Sequence, residues 1–245
     1  LDQLGTGTDH QIDAGALVDR GPAGRPDMFQ VSPLFAVPMV EAQLPDAGAL
    51  NAQLRELFLA REAEGRRWAN PASSMKVGSG LFESDFTVFS WPEPPVQALR
   101  EFCWAALSRA IGQLNGFSAE QLARLQILSH TWFHITRNGG QFDLHNHAMA
   151  SWSGVYCVDP GDSPADDPDS GALTFLNPMG LAGMFHDPAN VRLRRPYALG
   201  NINYRHQPGR LVLFPSWLFH LVQPYRGQRE RITVAFNCWF KQSAD

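Results

Sequence analysis

The pattern of apolar and polar residues changes at about Leu125, and this change constrains the fold more than any other feature of the sequence. From there to the C-terminus, short segments of alternating apolar and polar residues are separated by Gly, Pro and Asp. Such segments are typical of an antiparallel β domain. The predicted strands are 126–137, 141–147, 152–158, 172–176, 210–214, 217–223 and 230–240.

The segment before this change is predicted to be mostly helical. Apolar residues recur there at helical spacing, with charged residues between them. The predicted helices span about 46–65, 95–114 and 118–124. Ahead of them, Met28–Val40 has the composition of a strand, although Pro33 and Pro38 interrupt it.

The order of these elements predicts a mainly β protein with flanking helices, of the α+β class. Residues 1–28 are rich in Gly and polar residues and predict an N-terminal arm. We expect a single domain over 29–245. Within it, the helices and first strand of 29–125 cover the outer face of a β-barrel or sandwich formed by 126–240.

Charge and composition exclude several classes of partner. The net charge is −4, and the few basic clusters are short, so neither nucleic acid nor an acidic membrane is expected as a partner. No apolar run approaches the ~20 residues of a membrane-spanning helix. Three widely spaced cysteines (Cys103, Cys157 and Cys238) predict free thiols, and the N-terminus lacks a secretory signal pattern. We expect a cytoplasmic protein, and the sequence leaves a homodimer open.

The segment Asp143-Leu144-His145-Asn146-His147 contains the first candidate metal ligands. Side chains two apart on a strand point to the same face, so His145 and His147 could approach one metal ion together. Two such histidines could equally decorate a polar strand. His220 adds weight to the metal hypothesis because it lies in an apolar stretch, where a buried imidazole needs partners for both ring nitrogens.

Eleven residues after His220 comes Arg231-Ile232-Thr233, separated from it by a turn-like segment. A hairpin centred near Tyr225 and Arg226 would place Arg231 opposite His220 on the next strand, with Thr233 on the same face. A barrel interior with a metal, a guanidinium and a hydroxyl could hold a small dicarboxylate. The alternative for Arg231 is a surface charge on an edge strand.

The phrases HNH…SWSGVYCV, SGALTFLNP, GRLVLFPSWLFH and ERITVAFN resemble the Fe(II)/2-oxoglutarate-dependent oxygenases over residues 132–240. The resemblance is closest to a branch of uncharacterised bacterial and phage proteins. It implies a double-stranded β-helix (jelly-roll, cupin-like) core. It implies Fe(II) at the matched positions His145, His147 and His220, and 2-oxoglutarate held by Arg231 and Thr233.

The same resemblance implies a dioxygenase that uses dioxygen to hydroxylate an unactivated C–H bond, with release of succinate and CO₂. The substrate, a small molecule or a peptide, is not indicated. One departure is that the wider superfamily has Asp or Glu where His147 stands. Asp143, which lies on the same face as His145 if the strand is unbroken, is therefore an alternative third ligand, with one of the paired histidines moved outward.

Further candidates face the predicted barrel interior. Tyr156 and Asn237 could contact the cosubstrate, and His130, Trp132 and His134 could line a substrate pocket or simply pack. The remaining histidines, His10, His186 and His206, have no supporting neighbours and are predicted to be exposed. Two other functions stay open: a three-histidine Zn(II) or Mn(II) hydrolase or isomerase, and a non-catalytic oxoacid-binding barrel.

Overall fold

The computed structural model describes residues 30–73, 76–78, 80–182 and 185–242. Contacts divide the chain after Phe35, and Ala36–Asp245 forms one compact unit. The predicted arm, residues 1–28, lies outside the described residues. No described helix combines the length and the apolar character needed to cross a membrane.

Three α-helices occur where helical periodicity predicts them. They are α1 (Gly48–Ala63), α2 (Pro94–Asn115) and α3 (Ala119–Ala123). Proline begins α2, where its missing N–H is not needed, and Gly116 ends that helix with a φ of 68°. A capping box between Ser118 and Gln121 begins α3, because each residue bonds to the other's backbone N–H.

All seven strands that alternation predicts beyond residue 125 are present in the structure. The described strands are β1 (Val40–Gln43), β2 (Lys76–Val77), β3 (Leu81–Glu83), β4 (Leu125–Thr136), β5 (Gln141–His145), β6 (Trp152–Asp159), β7 (Leu173–Phe175), β8 (Ile202–Tyr204), β9 (Arg210–Pro215), β10 (His220–Val222) and β11 (Arg231–Gln242). The short strands β2, β3 and β8 were not predicted. The strand predicted over 28–40 is wrong: the first described strand starts only at Val40, since Pro33 and Pro38 cannot donate to a ladder.

The strands form two antiparallel sheets. One has the order β1-β9-β6-β11-β4-β3, and the other has the order β2-β5-β10-β7-β8. From β4 to β7 and from β8 to β11, successive strands alternate between the sheets. This alternation produces a double-stranded β-helix, which confirms the predicted fold class.

The helices cover the outer face of the six-stranded sheet. Leu54 and Phe58 of α1 and Leu99 of α2 are fully buried against that face, where Phe58 stacks on Phe133 at 4.3 Å between ring centroids. Burying each such side chain contributes about 1.5–3 kcal/mol. Because the outer face is occupied in this way, the inner face is left to line a cavity between the sheets.

Candidate active site

A cavity of about 400 Å³ lies among the inward-facing side chains of both sheets. Its size is that of a small-molecule site. The sequence predicts seven site residues, and six of them line the cavity: His145, His147, His220, Arg231, Thr233 and Asn237.

The three histidines meet at one point of the cavity. His145 ends β5 and pairs directly with His220, the first residue of β10. His147 lies beyond the strand rather than on it, and its N–H donates to Ser216 O at 2.8 Å. The ring centroids are 4.4 Å apart for His145 and His220 and 4.9 Å apart for His145 and His147. One ligand atom from each of the three lies within 4.8 Å of the others.

Backbone carbonyls orient two of these rings. His145 Nδ1 lies 2.6 Å from Asp143 O, and His220 Nδ1 lies 2.9 Å from Leu218 O. A carbonyl can only accept, so each Nδ1 carries the proton and each Nε2 keeps its lone pair for a metal. Burial lowers the pKa of His147 to about 4 and that of His220 to about 3. Both are therefore neutral at neutral pH, which is the form that binds metals.

This donor set fits a divalent transition metal. Imidazole nitrogen suits Fe(II) as well as Zn(II), and three ligands leave positions open for a bidentate oxoacid and dioxygen. Among the described residues, the cluster with metal-binding geometry contains the three histidines and no carboxylate.

The alternative ligand Asp143 is not in this cluster, because a bulge in β5 reverses its orientation. His145 pairs with His220 and Phe142 with Val222, so three steps along β5 match two along β10. Phe142 therefore points into the cavity, whereas Asp143 is exposed. The expectation that Asp143 and His145 share a face assumes an unbroken strand and is wrong.

Arg231 reaches the cavity by a different route from the predicted one. The hairpin that would pair β10 with β11 does not form, since β10 pairs with β5 and β7 while β11 pairs with β4 and β6. The two strands belong to different sheets. Arg231 therefore shares the cavity with His220 from the opposite sheet.

The Arg231 guanidinium is buried without an ionic partner among the described residues. The residue is 3% exposed, and no described acidic side chain lies within ion-pair distance. Gly171 makes room for it, because a Cβ at that position would lie 3.0 Å from Arg231 Cδ. A buried cation of this kind needs an anion, and a carboxylate matches its fork geometry. Thr233, 1% exposed, lies next to it on the inner face of β11.

Tyr156 does not face the cavity, and its predicted role in cosubstrate binding is corrected. Its neighbours Ser153 and Val155 line the cavity, whereas Tyr156 points to the helical side of the sheet. There its hydroxyl donates to Asn51 Oδ1 at 2.7 Å, and the side chain is fully buried. The alternation of β6 places it in the core beneath α1.

We therefore expect Tyr156→Phe to affect stability and not cosubstrate binding. Removing the hydroxyl leaves Asn51 Oδ1 buried without its donor, which should lower the free energy of unfolding by about 1–3 kcal/mol. Urea denaturation measures this loss. The Kd for 2-oxoglutarate in the metal-loaded variant should equal that of the wild type, and a tenfold weaker Kd would contradict the placement.

One wall of the cavity is aromatic and polar. His130, Trp132 and His134 project into it from alternate positions of β4, and Phe86 packs on Trp132 at 5.2 Å between ring centroids. Glu83, which the sequence did not single out, also lines this wall. Although burial raises the pKa of Glu83, bonds to His134 at 3.0 Å and to Asn70 lower it to about 2. The wall therefore carries a fixed negative charge.

Two other predictions concern polar side chains in the cavity. Asn237 faces inward as predicted, and its Oδ1 accepts a 2.7 Å bond from Ser153. His206 was predicted to be exposed, and this is wrong: its ring nitrogens are buried, and it lines the cavity with Arg231. His186 is exposed as predicted, and His10 lies outside the described residues.

Comparisons with known proteins agree with this architecture. Residues 130–237 match the family model described as "Putative 2OG-Fe(II) oxygenase", where 2OG is 2-oxoglutarate. A search of curated proteins finds no significant match.

Solved structures share the fold. A Pseudomonas putida prolyl-4-hydroxylase superimposes with a TM-score of 0.55 at 20% identity, over 85% of this chain and 94% of that one. A Trichoplax adhaerens prolyl hydroxylase in complex with a hypoxia inducible factor peptide fragment gives 0.51 at 14% identity, over 81% and 83%. The epimerase SnoN of nogalamycin biosynthesis, solved with Fe³⁺, α-ketoglutarate and a nogalamycin, gives 0.53 at 12% identity, over 85% and 82%. At these identities the likeness concerns the fold alone.

Proposed function

We propose that the protein is an Fe(II)- and 2-oxoglutarate-dependent dioxygenase, starting from the match of residues 130–237 to the 2OG-Fe(II) oxygenase family model. Its reaction is the hydroxylation of an unactivated C–H bond in a small-molecule or peptidyl substrate. The observation that carries this proposal is the shared cavity. Three histidines with metal-binding geometry line it, together with a buried guanidinium that has no ion-pair partner in the described part of the chain.

Each of these residues has a defined task in the proposed reaction. His145, His147 and His220 hold Fe(II) through their unprotonated ring nitrogens. Arg231 and Thr233 would bind the distal carboxylate of 2-oxoglutarate. When bound, iron and 2-oxoglutarate supply the oxidation of the C–H bond by dioxygen, with succinate and CO₂ as coproducts.

The rest of the cavity positions the substrate and excludes water. Trp132 lies 6.2 Å from His147 between ring centroids, so the aromatic wall approaches the metal ligands closely. A substrate seated against Trp132 and Phe86 would displace water from the neighbourhood of the metal. The charged Glu83 and the amide of Asn237 are polar groups that could orient it.

The test is stepwise loading of the purified protein under anaerobic conditions. Adding Fe(II) and then 2-oxoglutarate should produce a weak charge-transfer band in the visible, and admission of air should yield succinate. Zn(II)-loaded protein is the control, because it should bind 2-oxoglutarate without the band or the turnover. If the Fe(II)-loaded protein gives neither a band nor succinate, the proposal fails. Metal analysis of anaerobically purified protein then tests the hydrolase alternative, which expects Zn(II) or Mn(II).

A further inference from the structure

His206 is a half-buried side chain with buried ring nitrogens, and the proposed reaction has not yet used it. It follows β8 and continues the side of that strand on which Tyr204 lies, with 5.5 Å between the two ring centroids. Its position brings it to the same cavity as Arg231, and both residues also line a second cavity of about 370 Å³ beneath the 160–171 loop. His206 and Arg231 therefore stand together at one end of the site.

Neither ring nitrogen of His206 has a hydrogen-bond partner among the described residues, and both are buried. A buried donor or acceptor without a partner destabilises the folded protein. Native structures rarely keep such groups without a ligand, an ion or a water to pair with them. The His206 imidazole, which lacks a hydrogen-bond partner, and the Arg231 guanidinium, which lacks an ion-pair partner among the described residues, thus lie at one end of one cavity.

The charge and the hydrogen-bond donors of His206 and Arg231 determine which kind of ligand fits between them. Burial, and then the positive charge of Arg231, lower the pKa of His206 well below its ordinary value, so the imidazole is neutral in the free protein. A neutral imidazole offers one N–H donor. Together with the guanidinium, this donor matches a single carboxylate, whose oxygens accept several hydrogen bonds.

We propose that His206 donates a hydrogen bond to the distal carboxylate of 2-oxoglutarate and binds it jointly with Arg231. This inference rests on the proposed function, and it adds a cosubstrate contact outside the Arg231-Ile232-Thr233 motif. The sheet that carries β8 thereby contacts the same carboxylate as β11 of the opposite sheet. His206 consequently contributes, with Arg231, to the preference for dicarboxylate over monocarboxylate oxoacids.

The experiment compares two oxoacids by calorimetry on Zn(II)-loaded protein. Pyruvate can chelate the metal as 2-oxoglutarate does, but it has no distal carboxylate. His206→Leu should weaken 2-oxoglutarate binding by about 10- to 100-fold, the value of one charge-assisted hydrogen bond. The Kd for pyruvate and the Kd for Zn(II) should not change. His206→Gln, which retains N–H donors, should recover part of the loss.

The wild-type protein provides a second measurement that does not depend on a variant's folding. In ¹⁵N-histidine NMR of the Zn(II)-loaded protein, the His206 ring signals should shift on addition of 2-oxoglutarate and stay in place with pyruvate.

The outcomes separate the two proposals. If the wild type binds 2-oxoglutarate while His206→Leu binds it equally well, the role of His206 is overturned and the proposed function stands. Equal weakening of both oxoacids likewise overturns it, because His206 would then act through the metal site or the fold. If the metal-loaded wild type binds no 2-oxoglutarate, both proposals fall.

Discussion

His220→Ala is expected to remove metal binding and with it all succinate formation. His220 is 5% exposed, begins β10 and pairs directly with His145. A neighbouring side chain therefore cannot readily take the place of its ring. Two histidines are then left, with no described carboxylate in the cluster. Metal affinity should fall by more than about 100-fold, which exceeds the loss caused by removing a residue that only hydrogen-bonds to a metal ligand.

Metal binding is measured as the rise in Tm on adding Fe(II) under anaerobic conditions. A metal at about 100 times its Kd stabilises the folded protein by about 2.7 kcal/mol, and the variant should lose this rise. His186→Ala is the matched control, since His186 is exposed and outside the cavity. A His220→Ala protein that still gains wild-type stability from Fe(II) would show that His220 is not a ligand.

Arg231→Met is expected to have opposite effects on binding and on stability. Losing the guanidinium removes the ionic partner of the distal carboxylate, and breaking such a buried pair costs about 3–5 kcal/mol. The Kd for 2-oxoglutarate should therefore rise by about 100- to 4,000-fold, while the Kd for pyruvate changes little.

In the ligand-free protein the same substitution relieves a buried charge that has no described ionic partner. Methionine fills much of the same space without a charge, so the free energy of unfolding should rise by about 1–3 kcal/mol. Urea denaturation of metal-free protein measures this gain, with Arg192→Met at an exposed position as the control. If Arg231→Met instead loses stability and keeps its affinity for 2-oxoglutarate, Arg231 has a structural role and not the proposed one.

These two predictions involve residues that the sequence had already singled out, by the same kind of signal. His220 and Arg231 each stand out as a polar residue within an apolar strand, and burial makes such a residue need a partner. The strands of residues 126–240 follow from alternation, which depends only on local side-chain direction. The strands β2, β3 and β8, two or three residues long, were missed, although the equally short β7 and β10 lie within longer segments that alternation predicted.

The errors have one origin, which is that local periodicity does not determine how strands pair. The prediction that Asp143 lies beside His145 assumes that side chains alternate regularly along the strand, and the bulge in β5 interrupts that alternation. The pairing of β10 with β11 was inferred from a short turn, whereas the chain crosses there between sheets. His206 had no neighbours in the sequence to mark it, and only the packing of β8 brings it to Arg231.

Local pattern was thus sufficient for the helices, the longer strands and the residue types needed for a metal and a carboxylate. Those properties depend on spacing along one segment and on the chemistry of single side chains. The tertiary structure alone assigned Tyr156 to the core, Asp143 to the surface and His206 to the cavity. Each of these depends on contacts between segments far apart in the chain, and no spacing rule within one segment encodes such contacts.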